Sequence, residues 1–275
     1  MARKRILITG CSSGIGRALA LSCHEYGFSV IATARQVNAI DALRETGMTV
    51  LALDVNDREQ IRSVVGQAGQ VDVLVNNAGY ALIGPAIELD GAAVEAQFRT
   101  NVFSTLALVR AFAPGMKEKG GGLIVNMGSI SGIAATPFAG AYCATKAALH
   151  ALSDSLRMEL APFGIRVVTV QPGKIESGFG KAAEATISAE GVANSWYKGL
   201  SGAILKRAGE SQVNATPGDR FAAALVKRVI LNPEPPPVVR LGKMSTVFPM
   251  LKRILPTPLM DWMLKRKFGL SSLPG

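Results

Sequence analysis

Residues 5–16 read RILITGCSSGIG, and this short segment sets the architecture expected for the whole chain. An apolar run is followed by a glycine-rich turn, and a helical pattern begins at Gly14 and continues to Tyr26. Glycines let the backbone approach a pyrophosphate closely, and a helix N-terminus offers it unpaired N–H groups. The order strand, turn, helix is the context that a dinucleotide-binding motif requires. The alternative is a tight strand-to-helix turn without a ligand.

Short apolar runs and helical patterns alternate along the rest of the chain. Strands are expected at residues 5–9, 28–33, 49–53, 71–75, 123–127, 166–170 and 238–241. Helices are expected at residues 14–26, 38–46, 57–67, 89–100, 102–119, 142–160 and 217–230. Strands that are apolar throughout and separated by helices indicate a parallel sheet covered on both faces. We therefore predict an α/β fold built on a doubly wound parallel sheet, with a C-terminal helical extension.

The chain divides into a domain at residues 1–242 and an extension at residues 243–275. The domain includes a substrate loop at about 174–215, rich in Ala, Gly and Ser, in which one or two short, mobile helices are expected. The extension is basic and amphipathic, and three prolines, Pro249, Pro256 and Pro258, are expected to interrupt it. A capped helix start is expected at Thr257. The basic, amphipathic helix that follows predicts either a peripheral contact with an anionic membrane surface or a tail that folds back as a lid or subunit contact.

The net charge of +10 is concentrated at the two ends of the chain. Residues 36–226 hold 16 basic and 17 acidic side chains, whereas residues 227–275 hold nine basic and two acidic ones. This distribution argues against nucleic-acid binding, which requires a basic face across the fold. A content of 48% hydrophobic residues indicates a large core. Because apolar runs are short and the three cysteines show no pairing pattern, we expect a cytoplasmic protein, at most peripheral at a membrane.

The end of the second strand indicates which dinucleotide is bound. Folds that bind a free ribose 2′-hydroxyl place an acidic residue there, but this chain has Ala34 followed by Arg35. A guanidinium can bind a 2′-phosphate through two hydrogen bonds, so we predict NADP(H) rather than NAD(H). The alternative is that Arg35 is an ordinary solvated arginine. Asp54, after the third strand, is placed to accept a hydrogen bond from adenine or to form a turn.

Tyr142 and Lys146 lie four residues apart on a predicted helix and therefore on one face of it. A nearby ammonium group favours the phenolate and brings a tyrosine closer to acid/base work at neutral pH. Two residues at this spacing are a weak signal by themselves. Their value depends on the motifs that accompany them.

Those motifs occur in the order typical of the short-chain dehydrogenase/reductase family, which the chain resembles over residues 4–242. They are the turn at residues 9–16, Asp54, the Asn-Asn-Ala-Gly segment at residues 76–79, Asn101, Ser129, the Tyr142 and Lys146 pair, and Pro172-Gly173. Ser129 precedes Tyr142 by 13 residues, the interval found in the family. The strand end at residues 31–35, Tyr80 and the extension resemble the 17β-hydroxysteroid and retinol dehydrogenase-like branch.

The resemblance implies a single Rossmann-type domain and a set of residue roles. Tyr142 would be the catalytic acid/base and Ser129 would orient the substrate oxygen. Lys146 would hold the nicotinamide ribose and lower the tyrosine pKa, and Asn101 would keep a water in a proton relay. No metal is implied. The implied cofactor-binding residues are Gly10, Ser12, Ser13, Gly14, Ile15, Gly16, Arg35, Asp54, Val55, Asn77, Ala78, Gly79, Tyr142, Lys146, Pro172, Gly173, Ile175 and Ser177.

Two positions depart from the family pattern: Ser177 stands where threonine is usual, and Gly128 where serine is common. Ser177 is still expected to reach the nicotinamide carboxamide. The leading hypothesis is an NADP(H)-dependent oxidoreductase that interconverts a hydrophobic ketone or aldehyde and its alcohol, of steroid, retinoid or lipid type. The alternatives are a 3-oxoacyl-thioester reductase and a non-catalytic NADP-binding regulatory protein. The resemblance also implies a homodimer or homotetramer.

Overall fold

The structure is a computed structural model that describes residues 3–187 and 195–273. Its sheet has seven strands in the order β3-β2-β1-β4-β5-β6-β7, and neighbouring strands run parallel. The strands are β1 (Arg5–Ile8), β2 (Ser29–Ala34), β3 (Thr49–Ala52), β4 (Val73–Asn76), β5 (Gly122–Met127), β6 (Ile165–Pro172) and β7 (Val238–Leu241). The predicted parallel sheet is confirmed, and strand ends differ from expectation by about two residues at most.

Helices connect the strands and cover both faces of the sheet. They are α1 (Gly14–Glu25), α2 (Asp41–Glu45), α3 (Arg58–Ala68), α4 (Gly91–Phe98), α5 (Ser104–Glu118), α6 (Gly140–Leu160), α7 (Phe179–Glu184), α8 (Ser201–Gly209), α9 (Gly218–Leu225), α10 (Val247–Ile254) and α11 (Thr257–Lys267). Leu19 of α1 and Phe221 of α9 are buried in the core on one face. Ile61 of α3 and Leu108 of α5 are buried in the core on the other. The predicted doubly wound, Rossmann-type single domain is therefore confirmed.

The central strand β1 contributes to both cores because successive side chains of a strand point to opposite faces. Ile6 and Ile8 lie in one core and Leu7 in the other. Strands β2 and β3 follow on one side of β1, and β4 to β7 follow on the other. The strand order therefore reverses direction at β1. A ligand crevice forms at such a point, at the carboxyl ends of the strands. The glycine-rich turn follows β1 and therefore lies at this crevice.

The helices predicted at residues 89–100 and 102–119 are joined more closely than expected. They are found as α4 and α5, connected without a break by a π-helical turn at Arg99–Phe103. Such turns insert an extra residue into a helix and often occur at functional sites. This turn carries the buried Asn101, one of the predicted catalytic residues.

The C-terminal extension folds back against the domain. The expected interruption at Pro249 is wrong, because Pro249 lies in the first turn of α10, where a missing N–H removes no helical hydrogen bond. Helix α11 begins near the predicted position, but Thr257 is its first residue and does not cap it, because Pro256 occupies the cap position and no side chain caps the helix. Phe268 then packs edge-on against Phe138, with ring centroids 6.4 Å apart. Within residues 3–187 and 195–273, no helix is both long and apolar enough to cross a membrane.

The short helices expected in the substrate loop are α7 and α8, which flank a segment outside the described residues, 188–194. Leu200 and Ile204 of the loop are buried in a third hydrophobic core together with Phe138, Tyr142 and Phe268. This third core lies beside the predicted catalytic helix α6. The loop and the extension are therefore packed on the same side of the domain, around α6.

Candidate active site

The glycine-rich turn after β1 contains positions that only glycine fits well. Gly10 and Gly14 have φ angles of +73° and +55°, in the left-handed region that favours glycine. At Gly16, a Cβ atom would stand 2.1 Å from the carbonyl oxygen of Gly10, so a side chain there would force the turn apart. Ser13 caps α1 without a side-chain hydrogen bond. The first N–H groups of α1 are thereby available to an anion in the crevice.

Asn77 holds this turn against the end of β4. Its Nδ2 donates hydrogen bonds to the carbonyl oxygens of Thr9 and Gly10, at 2.8 and 3.2 Å. Thr9 Oγ1 accepts hydrogen bonds from the backbone N–H groups of Asn77 and Ala78, both at 3.0 Å. Asn77 and Ala78 therefore fix the spacing between the turn and the neighbouring strand, in addition to lining the crevice.

Arg35 and Asp54 lie on the crevice wall beyond the ends of β2 and β3. Arg35 is exposed, and its charge acts on Tyr80, whose pKa is raised by burial and lowered by the guanidinium. Asp54 Oδ1 accepts a hydrogen bond from the backbone N–H of Asn56 at 2.9 Å. Asp54 is therefore a turn former, which was one of its two expected roles, and it also faces the crevice.

Ser129, Tyr142 and Lys146 meet deeper in the same crevice. Tyr142 and Lys146 lie one turn apart on α6, and Ser129 follows β5. Ser129 lies close enough to the Tyr142 hydroxyl to lower its pKa. Lys146 Nζ donates to the carbonyl oxygen of Met127 at 2.7 Å and lies 5.9 Å from the centre of the Tyr142 ring. The fold thus brings together three side chains that the sequence predicted as catalytic.

The ionisation of these groups differs from expectation. Burial raises the pKa of Tyr142 to about 12, while the nearby Ser129 hydroxyl and the Arg207 charge act in the opposite direction. Burial also lowers the pKa of Lys146 to about 8. The expected lowering of the Tyr142 pKa by Lys146 is not found, because desolvation favours the neutral form of each group. Tyr142 is consequently held as a phenol, the form that can donate a proton.

Asn101 is the predicted catalytic residue that does not lie on the described crevice wall. Its Oδ1 accepts a hydrogen bond from the backbone N–H of Tyr80 at 3.1 Å. Its Nδ2 donates to the carbonyl oxygen of Tyr80 at 2.9 Å and to Thr145 Oγ1 at 3.0 Å. Asn101 therefore braces the segment after β4 against α6. Its expected part in a water relay stays a prediction.

His150 supports the site through Ser129, and this role was not predicted. Its Nε2 accepts a hydrogen bond from the backbone N–H of Ser129 at 3.3 Å. Burial and the Lys146 charge lower the pKa of His150 to about 4, so the imidazole is neutral at pH 7. A Cβ atom on Gly128 would stand 2.4 Å from Nε2, which explains the glycine before Ser129. His150 follows Lys146 by four residues, as Lys146 follows Tyr142, and this helical spacing was a usable signal.

Ser177 packs directly against the glycine-rich turn. A Cβ atom on Gly14 would come within 2.8 Å of its Cβ. Its backbone N–H donates to Gln212 Oε1 at 2.8 Å, and its Oγ accepts from the N–H of Phe179 at 3.3 Å. The loop after β6 therefore closes one side of the crevice. Contact between Ser177 and a carboxamide stays a prediction.

The crevice and the space beside it form one continuous cavity of about 880 Å³. Every predicted cofactor-binding residue lies on its wall. The wall also includes residues of the substrate loop, the extension and the segment before α6 that were not predicted individually as site residues. These are Thr136, Lys174, Arg207, Glu210, Phe248, Leu264, Lys267 and Phe268. The cavity thus extends from the glycine-rich turn, called here the cofactor end after the ligand expected there, to the loop and the extension, called here the substrate end.

Comparison with known proteins identifies the family. The model of the short chain dehydrogenase family matches residues 4–188. The chain belongs to this family. A short-chain dehydrogenase from Streptomyces avermitilis has a similar structure, with a TM-score of 0.76 and 30% identity over 99% of this chain and 98% of that one. A metagenomic short-chain oxidoreductase solved with NADP has a TM-score of 0.59 and 34% identity, over 62% of this chain and 82% of that one.

Family members with described activities are also similar in sequence. NADPH-dependent 1-acyldihydroxyacetone phosphate reductase of Schizosaccharomyces pombe is 41% identical over 64% of this chain and 61% of its own length. Human 17-beta-hydroxysteroid dehydrogenase type 1 is 38% identical over 65% of this chain and 59% of its own length. 3-Ketodihydrosphingosine reductase of Bacteroides thetaiotaomicron is 32% identical over 94% of this chain and 96% of its own length. The expected resemblance to a short-chain dehydrogenase with a 17β-hydroxysteroid dehydrogenase relative is confirmed.

Proposed function

We propose that this short-chain dehydrogenase is an NADP(H)-dependent oxidoreductase that interconverts a hydrophobic ketone or aldehyde and its alcohol. The observation that carries the proposal is the convergence of Ser129, Tyr142 and Lys146 on one cavity that begins at the glycine-rich turn. The names of the similar family members refer to hydroxy and keto compounds of steroid and lipid type. Interconversion of a hydroxyl and a carbonyl group is therefore the reaction that best fits this site.

The cofactor end fits a dinucleotide. Its glycines leave a cradle that Cβ atoms would fill, and the N-terminus of α1 faces that cradle. Arg35, following Ala34 at the end of β2, favours the 2′-phosphate of NADP(H), because the acidic residue that would bind a free ribose hydroxyl is missing. The NADPH-dependent yeast relative and the metagenomic structure with NADP support this choice.

When bound, the reduced cofactor supplies a hydride to the carbonyl carbon. Tyr142 donates its phenolic proton to the carbonyl oxygen as negative charge develops there. Ser129 gives the same oxygen a second hydrogen bond, and His150 positions Ser129 by accepting the hydrogen bond of its backbone N–H. Lys146, anchored on the carbonyl oxygen of Met127, would hold the nicotinamide ribose when the cofactor is bound.

The substrate end supports a bulky apolar substrate. Phe179, Phe248, Leu264 and Phe268 line it, and they come from the substrate loop and the extension. Apolar walls with a few polar groups are typical of pockets for such ligands. Steroid ketones, retinals and long-chain lipid ketones are the compounds that we propose for this end.

A cofactor-oxidation screen tests the proposed function. The full chain is supplied with NADPH or NADH and a panel of steroid ketones, retinal, fatty aldehydes, long-chain ketones and 3-oxoacyl thioesters. We expect turnover of a ketone or aldehyde with a preference for NADPH. Oxidation confined to the thioesters would favour the acyl-thioester alternative, and no oxidation with any compound would contradict the proposed activity.

Arg35→Asp tests the cofactor assignment in the same assay. Loss of charge-assisted hydrogen bonds to the 2′-phosphate should shift the ratio of kcat/KM values toward NADH by roughly 10- to 100-fold. Arg44→Asp, a charge reversal at an exposed position of α2, is the matched control and should leave the ratio unchanged. An unchanged ratio in Arg35→Asp would show that Arg35 does not contact the 2′-phosphate.

A further inference from the structure

Arg207 occupies an unusual position for a basic residue of the substrate loop. It lies on α8 and lines the substrate end of the cavity, whereas the preceding Lys206 is exposed to solvent. Arg207 Nε donates a hydrogen bond to Thr136 Oγ1 at 3.0 Å, which fixes the guanidinium plane. Its charge lowers the pKa of Tyr142, so it is within electrostatic reach of the proposed proton donor.

No carboxylate among the described residues forms a salt bridge with Arg207, although the charge of Glu210 acts on it from one turn further along the chain. Glu210 pairs instead with Lys174 and Lys267, whose Nζ atoms lie 3.0 and 2.8 Å from its Oε1. A guanidinium has five N–H donors, and the bond to Thr136 uses one of them. A half-buried cation with unused donors is costly unless an anion accompanies it. The substrate is a natural source of that anion.

The surroundings of Arg207 suit an amphiphilic anion. Lys174, Arg207 and Lys267 face the single acid Glu210 on the described wall of the substrate end, so this end is positively charged. Apolar side chains, among them Phe268, line the adjoining wall. A ligand with a charged head and an apolar body would therefore find partners for both parts in one cavity.

We propose that the substrate carries an anionic group, a carboxylate or a phosphate monoester, which Arg207 binds while the carbonyl meets Tyr142. This inference rests on the proposed function and narrows it, because it selects, from the hydrophobic ketones and aldehydes proposed for this site, those of lipid type that also carry an anion. Both anions match the paired N–H donors of a guanidinium. A merely structural Arg207, which braces α8 on Thr136, would instead affect charged and neutral substrates alike.

Binding without turnover is the first test. The full chain, with and without NADP+, is titrated calorimetrically with octyl phosphate, octanoate and 1-octanol. At least one anion should bind roughly 10- to 100-fold more tightly than the alcohol, and Arg207→Met should abolish that advantage. Lys206→Met, on the same helix but exposed, is the matched control and should keep it.

Each outcome of the titration decides the proposal. An advantage for octyl phosphate alone identifies a phosphate, and an advantage for octanoate alone identifies a carboxylate. The proposal is overturned if 1-octanol binds as tightly as both anions, or if Arg207→Met keeps the full advantage of the anions.

Turnover of matched substrate pairs separates this inference from the proposed function. One pair is a long-chain keto acid and its methyl ester; the other is a 1-acyldihydroxyacetone phosphate and its dephosphorylated form. Arg207→Met should lower kcat/KM roughly 10- to 100-fold more for the anionic member of each pair than for the neutral one, and Arg207→Lys should restore part of that difference. Equal losses for both members would overturn the inference and leave the proposed function intact. Anion binding that depends on Arg207, without turnover of any ketone, would contradict the proposed function alone.

Discussion

The two ends of the cavity are built in different ways. The cofactor end is formed by short contiguous segments, residues 9–16 and 76–79, in which backbone shape determines what can bind. The substrate end is assembled from the substrate loop and the C-terminal extension, and there the side chains of Arg207 and Phe268 determine the wall. A site made by the backbone can be read from a local motif, whereas a site made by distant side chains depends on tertiary packing.

Tyr142 stands where the two ends meet, so its hydroxyl should affect turnover far more than binding. Tyr142→Phe removes the proton donor and should lower kcat by about 10²- to 10⁴-fold. The Kd for NADPH, measured by calorimetry, should stay close to the wild-type value. Tyr26→Phe, at an exposed position after α1, is the control and should change neither quantity. A Tyr142→Phe enzyme with wild-type turnover would contradict the assignment of Tyr142 as the proton donor.

His150 accepts a hydrogen bond from the Ser129 N–H next to this site, and its effect should appear in the pH dependence of the free energy of unfolding. Its pKa is about 4 in the folded chain, below the ordinary value of 6.5, so the unfolded chain takes up the proton first as the pH falls. The contribution of the neutral His150 to the free energy of unfolding is therefore complete above about pH 6.5 and is lost as the pH falls toward 4, by about 3 kcal/mol in all.

Urea unfolding at pH 7 and pH 5 measures this contribution. His150→Gln keeps an acceptor for the Ser129 N–H but removes the titrating group, so its free energy of unfolding should fall less between the two pH values. The same fall in wild type and variant would show that His150 does not titrate in this way.

Gly16 tests the claim that backbone shape makes the cofactor end. A Cβ atom there would stand 2.1 Å from the carbonyl oxygen of Gly10, so Gly16→Ala must displace the turn. NADPH affinity should fall at least about tenfold. Gly66→Ala is the matched control, because a Cβ atom on this α3 residue meets nothing within 4 Å. It should stabilise the protein by about 0.5–1 kcal/mol and leave NADPH affinity unchanged. A Gly16→Ala protein that binds NADPH as wild type would sink the claim.

Phe268 tests the complementary claim for the substrate end. Phe268→Ala removes a buried ring from the cavity wall and should raise the KM of an apolar ketone by about tenfold or less, with NADPH affinity unchanged. Trp262→Ala is the control on α11, since that ring is 55% exposed. If Phe268→Ala weakens NADPH binding as much as it raises KM, the two ends are not separable.

Particular residues show how far the sequence could lead. The order of strands and helices and the convergence of Ser129, Tyr142 and Lys146 were predictable, because periodicity and motif spacing are local properties. The position of Arg207 on the cavity wall was not predictable. Arg207 follows Lys206 in an amphipathic helix, and only tertiary packing places Arg207 on the wall and Lys206 in solvent.

The ionisation of the site residues and the packing of the extension also could not be predicted from local sequence patterns. The raised pKa of Tyr142 follows from burial, which the spacing of Tyr142 and Lys146 does not reveal. In the extension, Phe268 is buried and Trp262 is exposed, although both belong to one basic amphipathic segment. The predicted membrane contact of that segment and the predicted oligomer stay predictions.

Hydride transfer itself is the most direct test of the central claim that one cavity joins a nicotinamide cofactor to a carbonyl substrate. The full chain is supplied with NADPH carrying deuterium at either one of the two C4 hydrogens of the nicotinamide, and with each ketone and aldehyde of the panel. We predict an alcohol that carries one deuterium on its carbinol carbon from one labelled form and none from the other, as measured by mass spectrometry. An alcohol without label from both forms, or no alcohol from any compound, would contradict the account.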